Sequence, residues 1–120
     1  MTCGGRQAAD VAHAIDDLFE AVSQDPLAVI EAASGLLPTA SPLEECQLHR
    51  VTGNAYRELR RTAQAIEHHE RALQVAVGLG DTRLEGLALM SLAGTLSFSG
   101  QFERSVELGT RSVTMLEGAD

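Results

Sequence analysis

Apolar residues recur along this chain three and four positions apart, the spacing of one face of an α-helix, in stretches separated by proline, glycine or capping residues. Val11, Ile15, Leu18 and Val22, supported by Ala14 and Phe19, mark a first helix over about residues 8–23. Residues 1–7 are polar and glycine-containing and are expected to fray. Asp25-Pro26 supplies an N-cap followed by proline in the first turn, and Gly35 a C-terminal stop, for a short second helix. Ser41-Pro42-Leu43-Glu44 has the capping-box form and opens a third helix that runs to about Arg60, with Cys46, Val51, Ala55, Tyr56 and Leu59 inward or at a helix contact. Thr62 is expected to cap a fourth helix that continues through Leu73 towards Gly78 or Gly80, Asp81 to cap a fifth, and Gln101 to lie near the start of a sixth. No strand pattern is evident.

A longer pattern overlies the helical one. Gly53-Asn54-Ala55-Tyr56, Ala65-Ile66-Glu67 and Ala72-Leu73 return as Ala93-Gly94-Thr95-Leu96, Ser105-Val106-Glu107 and Ser112-Val113, each 40 positions on. A fixed period of this size is the signature of a solenoid, in which each unit buries its apolar face only by stacking on the next. Such a chain is expected to be a binding scaffold rather than an enzyme. Within the unit a small residue (Gly53, Ala93) is followed 12 positions later by another (Ala65, Ser105) and 7 further on by a third (Ala72, Ser112). Missing side chains let two antiparallel helices approach closely, with Tyr56, Leu59, Ile66 and Leu73 filling the surrounding contact. Ala32, 40 residues ahead of Ala72, aligns a degenerate first copy with the opening hairpin.

On these residues the chain resembles a tetratricopeptide (TPR) repeat. Gly53-Asn54-Ala55-Tyr56-Arg57-Glu58-Leu59 is similar to the family's helix A run, and Ala65-Ile66-Glu67-His68-His69-Glu70-Arg71-Ala72-Leu73 to its helix B run. The copy from Leu89 to Val113 replaces the glycine with Ala93, the tyrosine with Leu96 and both alanines with serine, but keeps the turn in Ser99-Gly100-Gln101-Phe102. The 40-residue period and the Gly80-Asp81 link resemble the kinesin-light-chain type, and residues 88–93 are similar to N-terminal repeats of actinobacterial CHAT-domain proteins. The resemblance implies an all-α fold: a right-handed superhelical stack of about three antiparallel hairpins, at about 8–36, 41–79 and 81–117, in a single domain over 8–117. HEAT and armadillo arrays have a similar period but lack the ordered trio of small positions.

Composition narrows the partners. Hydrophobic residues make up 44% of the chain but aromatic ones only 3%, so the interior must be filled by Ala, Leu, Val and Ile, as closely packed helices allow. Nine arginines, no lysine and 17 acidic residues leave a net charge of −8, which repels phosphate backbones and argues against nucleic acid as partner. No apolar run approaches the roughly 20 residues of a membrane span, and Met1-Thr2-Cys3-Gly4-Gly5 lacks a signal-peptide core. The expected location is the cytoplasm, with no membrane contact.

Candidate catalytic chemistry is sparse. Cys46 and His49, three apart on one helix, approach a metal set if antiparallel pairing brings His69 near, since Cys and two His suit zinc. The resemblance puts His49 and His69 at positions that carry large core residues, so packing is the expected role, with no metal and no cofactor. Asp16-Asp17 and Glu44-Glu45 diverge on a helix and read as solvated faces, and Gly4-Gly5 opens no phosphate loop. Cys3 and Cys46 make no disulfide framework.

Recognition remains. The resemblance implies that Gln47, Arg50, Asn54, Arg57 and Glu58 of the first clear repeat, and Leu87, Met90, Gly94, Ser97 and Phe98 of the second, line a concave groove. Arg50 and Asn54 resemble the cation-plus-asparagine half of a carboxylate clamp, in which Arg donates to a carboxylate and Asn pairs with both donor and acceptor of a peptide bond. The other reading is that Arg50 and Arg57 pair with Glu44, Glu45 or Glu58 on a solvated surface. On the sixth helix Val106, Val113 and Leu116 form an apolar stripe without a capping helix, so a homodimer through helix 6 or the neighbouring face of helix 5, or a downstream domain, is expected to cover it. The expected function is a non-enzymatic adaptor for a peptide segment or partner subunit. The alternatives are a sensor of a small peptide or metabolite, or the interaction segment of a larger CHAT-type protein.

Overall fold

The computed structural model describes residues 8–118. Among them are six α-helices: α1 (Ala8–Ala21), α2 (Pro26–Leu36), α3 (Pro42–Glu58), α4 (Thr62–Leu79), α5 (Thr82–Phe98) and α6 (Phe102–Glu117), with a short 3₁₀ turn at Leu37–Thr39. The starts follow from local chemistry. Ser41 Oγ accepts from Glu44 N at 3.2 Å while Glu44 Oε1 accepts from Ser41 N at 3.0 Å, a closed capping box that satisfies two otherwise orphaned amides. Asp25 accepts from Ala28 N and Asp81 from Leu84 N in the same way.

Several boundaries differ from the expectation. Thr62 is the first residue of α4; Arg61 holds the cap position and makes no side-chain capping bond. Gly35 does not stop α2, because the helix runs on into the 3₁₀ turn, where Pro38 ends it. α3 ends at Glu58 because Arg60 turns left-handed (φ 63°), letting Arg61 N donate back to Tyr56 O at 2.9 Å. The same turn recurs 40 residues on, with Gly100 (φ 84°) in place of Arg60 and Gln101 N donating to Leu96 O at 2.9 Å. Residues 1–7, including Cys3, lie outside the described residues.

The helices pair as antiparallel hairpins, α1 with α2, α3 with α4 and α5 with α6, and stack in order by α2 on α3 and α4 on α5. α1, α3 and α5 lie side by side along the stack, which measures 53 × 32 × 20 Å. Small residues make the close contacts. Ala65, Ala72 and Ala76 are fully buried, and a Cβ on Gly53 would come within 2.4 Å of the His69 ring and 3.0 Å of Ala65 O. In the next hairpin the two serines that replace Ala65 and Ala72 reach across to α5. Ser105 Oγ donates to Ala93 O at 2.7 Å and Ser112 Oγ to Gly86 O at 2.9 Å, so the polar substitution is satisfied where it is buried. In the opening hairpin Ala33, not Ala32, is buried, so the 40-residue register slips by one there.

Three apolar clusters fill the stack. Ile15, Val22, Val29, Ala33, Leu48, Val51 and Ala55 join α1, α2 and α3. Cys46, Ala72, Ala76, Leu84 and Ala88 join α3, α4 and α5, and Leu89, Leu92, Ala93, Leu96 and Leu108 join α5 and α6. Each fully buried leucine contributes about 1.5–3 kcal/mol by leaving water.

Candidate functional site

Leu43, Gln47, Arg50, Asn54 and Arg57 are spaced four, three, four and three apart, so they form one stripe along α3. Each arginine of the stripe leans on an aromatic ring from a neighbouring helix. The Arg50 guanidinium lies 4.5 Å from the Phe19 ring of α1 and donates through Nη1 to Gln47 Oε1 at 3.1 Å, leaving its buried Nε without a partner. Arg57 crosses α5 over Gly94, where a Cβ would fall 2.7 Å from Nη1. That nitrogen donates to Ser91 O and Thr95 Oγ1, both at 3.5 Å, and the guanidinium stands 5.9 Å from the Phe98 ring. Burial lowers the pKa of both arginines from the usual value, yet a guanidinium stays charged.

Asn54 is held from behind. His69, fully buried, donates from Nε2 to Asn54 Oδ1 at 2.9 Å, and its Nδ1 accepts from the Thr95 hydroxyl at 2.9 Å. Arg57, Thr95, His69 and Asn54 thus form one hydrogen-bonded chain through α5, α4 and α3. Burial, followed by the charge of Arg57, pushes the His69 pKa down to about 3, so the ring is neutral and keeps one donor and one acceptor. The carbonyl oxygen of Asn54 accepts this bond, while its amide NH₂ makes no hydrogen bond among the described residues.

Among the described residues, Arg50, Arg57 and Arg60 have no carboxylate within 4 Å, so the expected pairing with Glu44, Glu45 or Glu58 does not form. Glu58 is exposed, and Glu45 instead faces His49 Nε2 at 3.8 Å. The α5 side presents Met90, Ser97 and Phe98 exposed, with Leu87 and Gly94 half-buried. Between α1 and α3 the stripe opens into a cleft of about 270 Å³ lined by Ala12, Ile15, Asp16, Leu43, Glu44 and Gln47. One end of the stripe is therefore apolar and acidic, the other cationic and aromatic.

The family model described as tetratricopeptide repeat matches residues 44–118, more than half of the chain. The chain belongs to the tetratricopeptide repeat family. Its repeats generally mediate protein–protein interaction and are generally non-enzymatic modules. No curated protein and no solved structure matches the chain significantly.

In this TPR stack the three metal candidates point apart. The Cys46 thiol donates to Ala72 O at 3.3 Å, and burial raises its pKa to about 11. His49 meets His68, not His69: the Nδ1 atoms are 3.1 Å apart, and His68 stacks on Tyr56 at 5.5 Å between ring centroids. Burial lowers the pKa of both, and among the described residues no group of three His, Cys, Asp or Glu side chains is placed to hold a metal ion. On α6, Val106 and Val113 are 68% and 55% exposed, but Leu116 turns inward against Gly86 and leaves the stripe, whose third exposed member is Phe102. No helix among the described residues is long and apolar enough to cross a membrane.

The contacts of Phe19 with Arg50, of Thr95 with Arg57 and His69, and of Arg60 with Phe98 were not legible in the sequence. Phe19 lies in the hairpin where the repeat register fails. Thr95 stands where the preceding repeat has Ala55, and only that departure from the period hints at a role.

Proposed function

We propose that this TPR stack is an adaptor that holds an extended, acceptor-rich peptide segment along α3, its free carboxylate lying among Arg50, Asn54 and Arg57. The observation that carries the reading is a cluster of unpaired donors. Two half-buried guanidinium groups and one amide NH₂ lie on the α3 stripe without a carboxylate partner, in a chain of net charge −8. A charged donor without an acceptor gains most from an anionic ligand, because charge-assisted hydrogen bonds are about twice as strong as neutral ones. From Glu44 to Arg57 α3 rises about 20 Å, the reach of about six extended residues. Asp16 and Glu44 then suit a basic or amino group at the other end of the same segment. Gln47 orients Arg50, and Met90, Ser97 and Phe98 form the second wall, with Glu58 exposed at the edge.

Anisotropy of labelled six-residue peptides tests this. Peptides with a free C-terminal carboxylate are expected to bind at least tenfold tighter than their amidated twins, and Arg50→Ala/Asn54→Ala to remove the difference. Equal binding of the two forms refutes it.

The finer relationships belong to the same proposal. Helices of 16 to 18 residues in a 40-residue period support the kinesin-light-chain-like type, and residues 88–93 support kinship with CHAT-associated repeats. A homodimer through α6 is supported by the period itself. Val106 and Val113 repeat Ile66 and Leu73, which pack against the α5–α6 cluster that follows them. Sedimentation is expected to show a dimer that Val113→Glu dissociates, in a protein placed in the cytoplasm. A monomer at high micromolar concentration refutes the pairing.

A further inference from the structure

Arg60 occupies a place built for glycine. Its φ of 63° is left-handed, a conformation that disfavours any residue bearing a Cβ, and the same turn one repeat later uses Gly100. Of the described residues only Arg60 combines a side chain with positive φ. A strained position filled against local preference points to what its side chain reaches. Its guanidinium lies 5.2 Å from the centroid of Phe98, the ring that also carries Arg57 at 5.9 Å. Two like charges therefore share one half-exposed ring, and no carboxylate lies within 4 Å of either.

The donors at this place are unevenly used. One nitrogen of Arg57 is directed at Ser91 O and Thr95 Oγ1, which fixes the plane of the fork and leaves Nη2 and Nε. Arg60 makes no side-chain hydrogen bond or ion pair within the described residues and keeps all five donor hydrogens. Both guanidinium groups contact the same ring, and cation–ring contact tolerates the crowding without neutralising it. What neutralises it is an anion with two charges and several acceptor oxygens, bound by one fork or bridging both. Gly94 completes the arrangement, since a side chain there would meet Arg57 Nη1 at 2.7 Å and displace it.

We propose that Arg57, Phe98 and Arg60 form a subsite for a doubly charged anion on the bound peptide, either a phosphorylated side chain or a pair of adjacent carboxylates. The proposal rests on the groove reading above for the peptide, and adds a second anion site about one turn beyond Asn54, distinct from Arg50. A phosphoserine side chain has the required form, with a charge of about −1.5 to −2 near neutral pH and three acceptor oxygens.

The test uses the side-chain Nε–H resonances of the arginines in the whole chain, followed by ¹H–¹⁵N correlation spectra at constant ionic strength. The probes are N-acetyl-phosphoserine, N-acetyl-Asp-Asp and, as control, N-acetylserine. The resonances of Arg57 and Arg60 are expected to shift saturably with at least one of the two dianions and not with the control; which one does so identifies the source of the charge. Arg60→Gly is expected to weaken that binding at least tenfold while raising the melting temperature, so lost binding cannot be ascribed to lost folding. Linear, unsaturated shifts with both dianions, or binding to Arg60→Gly within twofold of wild type, would overturn the subsite. A saturable response confined to Arg50 would also overturn it while leaving the groove reading intact. Saturation at Arg57 and Arg60 together with equal binding of free and amidated peptides would keep the subsite and remove the groove reading.

Discussion

Three glycines inside helices, Gly53, Gly94 and Gly109, offer one substitution with three expected outcomes. Replacing a mid-helix glycine with alanine gains roughly 1 kcal/mol of helix propensity when the new methyl has room. At Gly109 it has room, since the nearest atom outside its own helix backbone is Ala93 Cβ at 3.8 Å. Gly109→Ala is therefore expected to stabilise by about 0.5–1 kcal/mol. At Gly53 the methyl would fall 2.4 and 2.5 Å from Cδ2 and Nε2 of His69 and 3.0 Å from Ala65 O. The ring cannot simply swing away, because Asn54 and Thr95 hold both its nitrogens at 2.9 Å. Overpacking costs about 1–3 kcal/mol, and each hydrogen bond lost as the ring is driven out about 1 kcal/mol more. After the propensity gain, Gly53→Ala is left about 2–3 kcal/mol less stable. Gly94→Ala meets only the mobile end of Arg57, so its stability stays within about 0.5 kcal/mol of wild type while the guanidinium leaves its seat. Urea unfolding with a common m-value measures all three. A double-mutant cycle with His69→Ala is expected to show coupling above about 1 kcal/mol, because removing the ring removes the clash. Gly53→Ala as stable as Gly109→Ala would refute the account of the α3–α4 contact.

Acid is expected to weaken the fold through His69. Its pKa is 6.5 when unperturbed and about 3 when folded, so between those values the unfolded chain binds the extra proton. The stabilisation by neutral His69 is complete above pH 6.5 and is lost progressively as pH falls towards 3. The urea midpoint should drop from pH 6.5 to 4, with His49 and His68 adding to the slope because burial lowers their pKa as well. A folded-state His69 Cε1 proton that titrates with a midpoint above 5.5 would contradict this. Cys46, buried and held near a pKa of 11, should resist a thiol reagent at pH 8 in a Cys3→Ser background and react once urea unfolds the chain. Labelling at the same rate with and without urea would count against that burial.

Much of the architecture was legible because its causes are local. Ser41 and Glu44, Asp25, and Asp81 announce helix starts through bonds that close within three residues, and the small positions at Gly53, Ala65 and Ala72 announce a hairpin because close helix approach needs missing side chains. Repetition carried this further, since whatever seats Gly53 against α4 must recur for Ala93 against α6.

The arginine and asparagine stripe on α3 was only half legible, for a physical reason. Sequence spacing places Arg50, Asn54 and Arg57 on one stripe, but what each can still bind depends on partners from other helices. His69 of α4 takes the carbonyl of Asn54, and Phe19 of α1 and Phe98 of α5 seat the arginines. Similarly, periodicity put Leu116 on the outer stripe of α6, while the absence of a side chain at Gly86 on α5 drew it inward. Local bonds and repetition determine which helices form and how they pair. Tertiary packing alone decides which donors remain free, because a hydrogen bond or a cavity between distant helices leaves no mark on the spacing within either one.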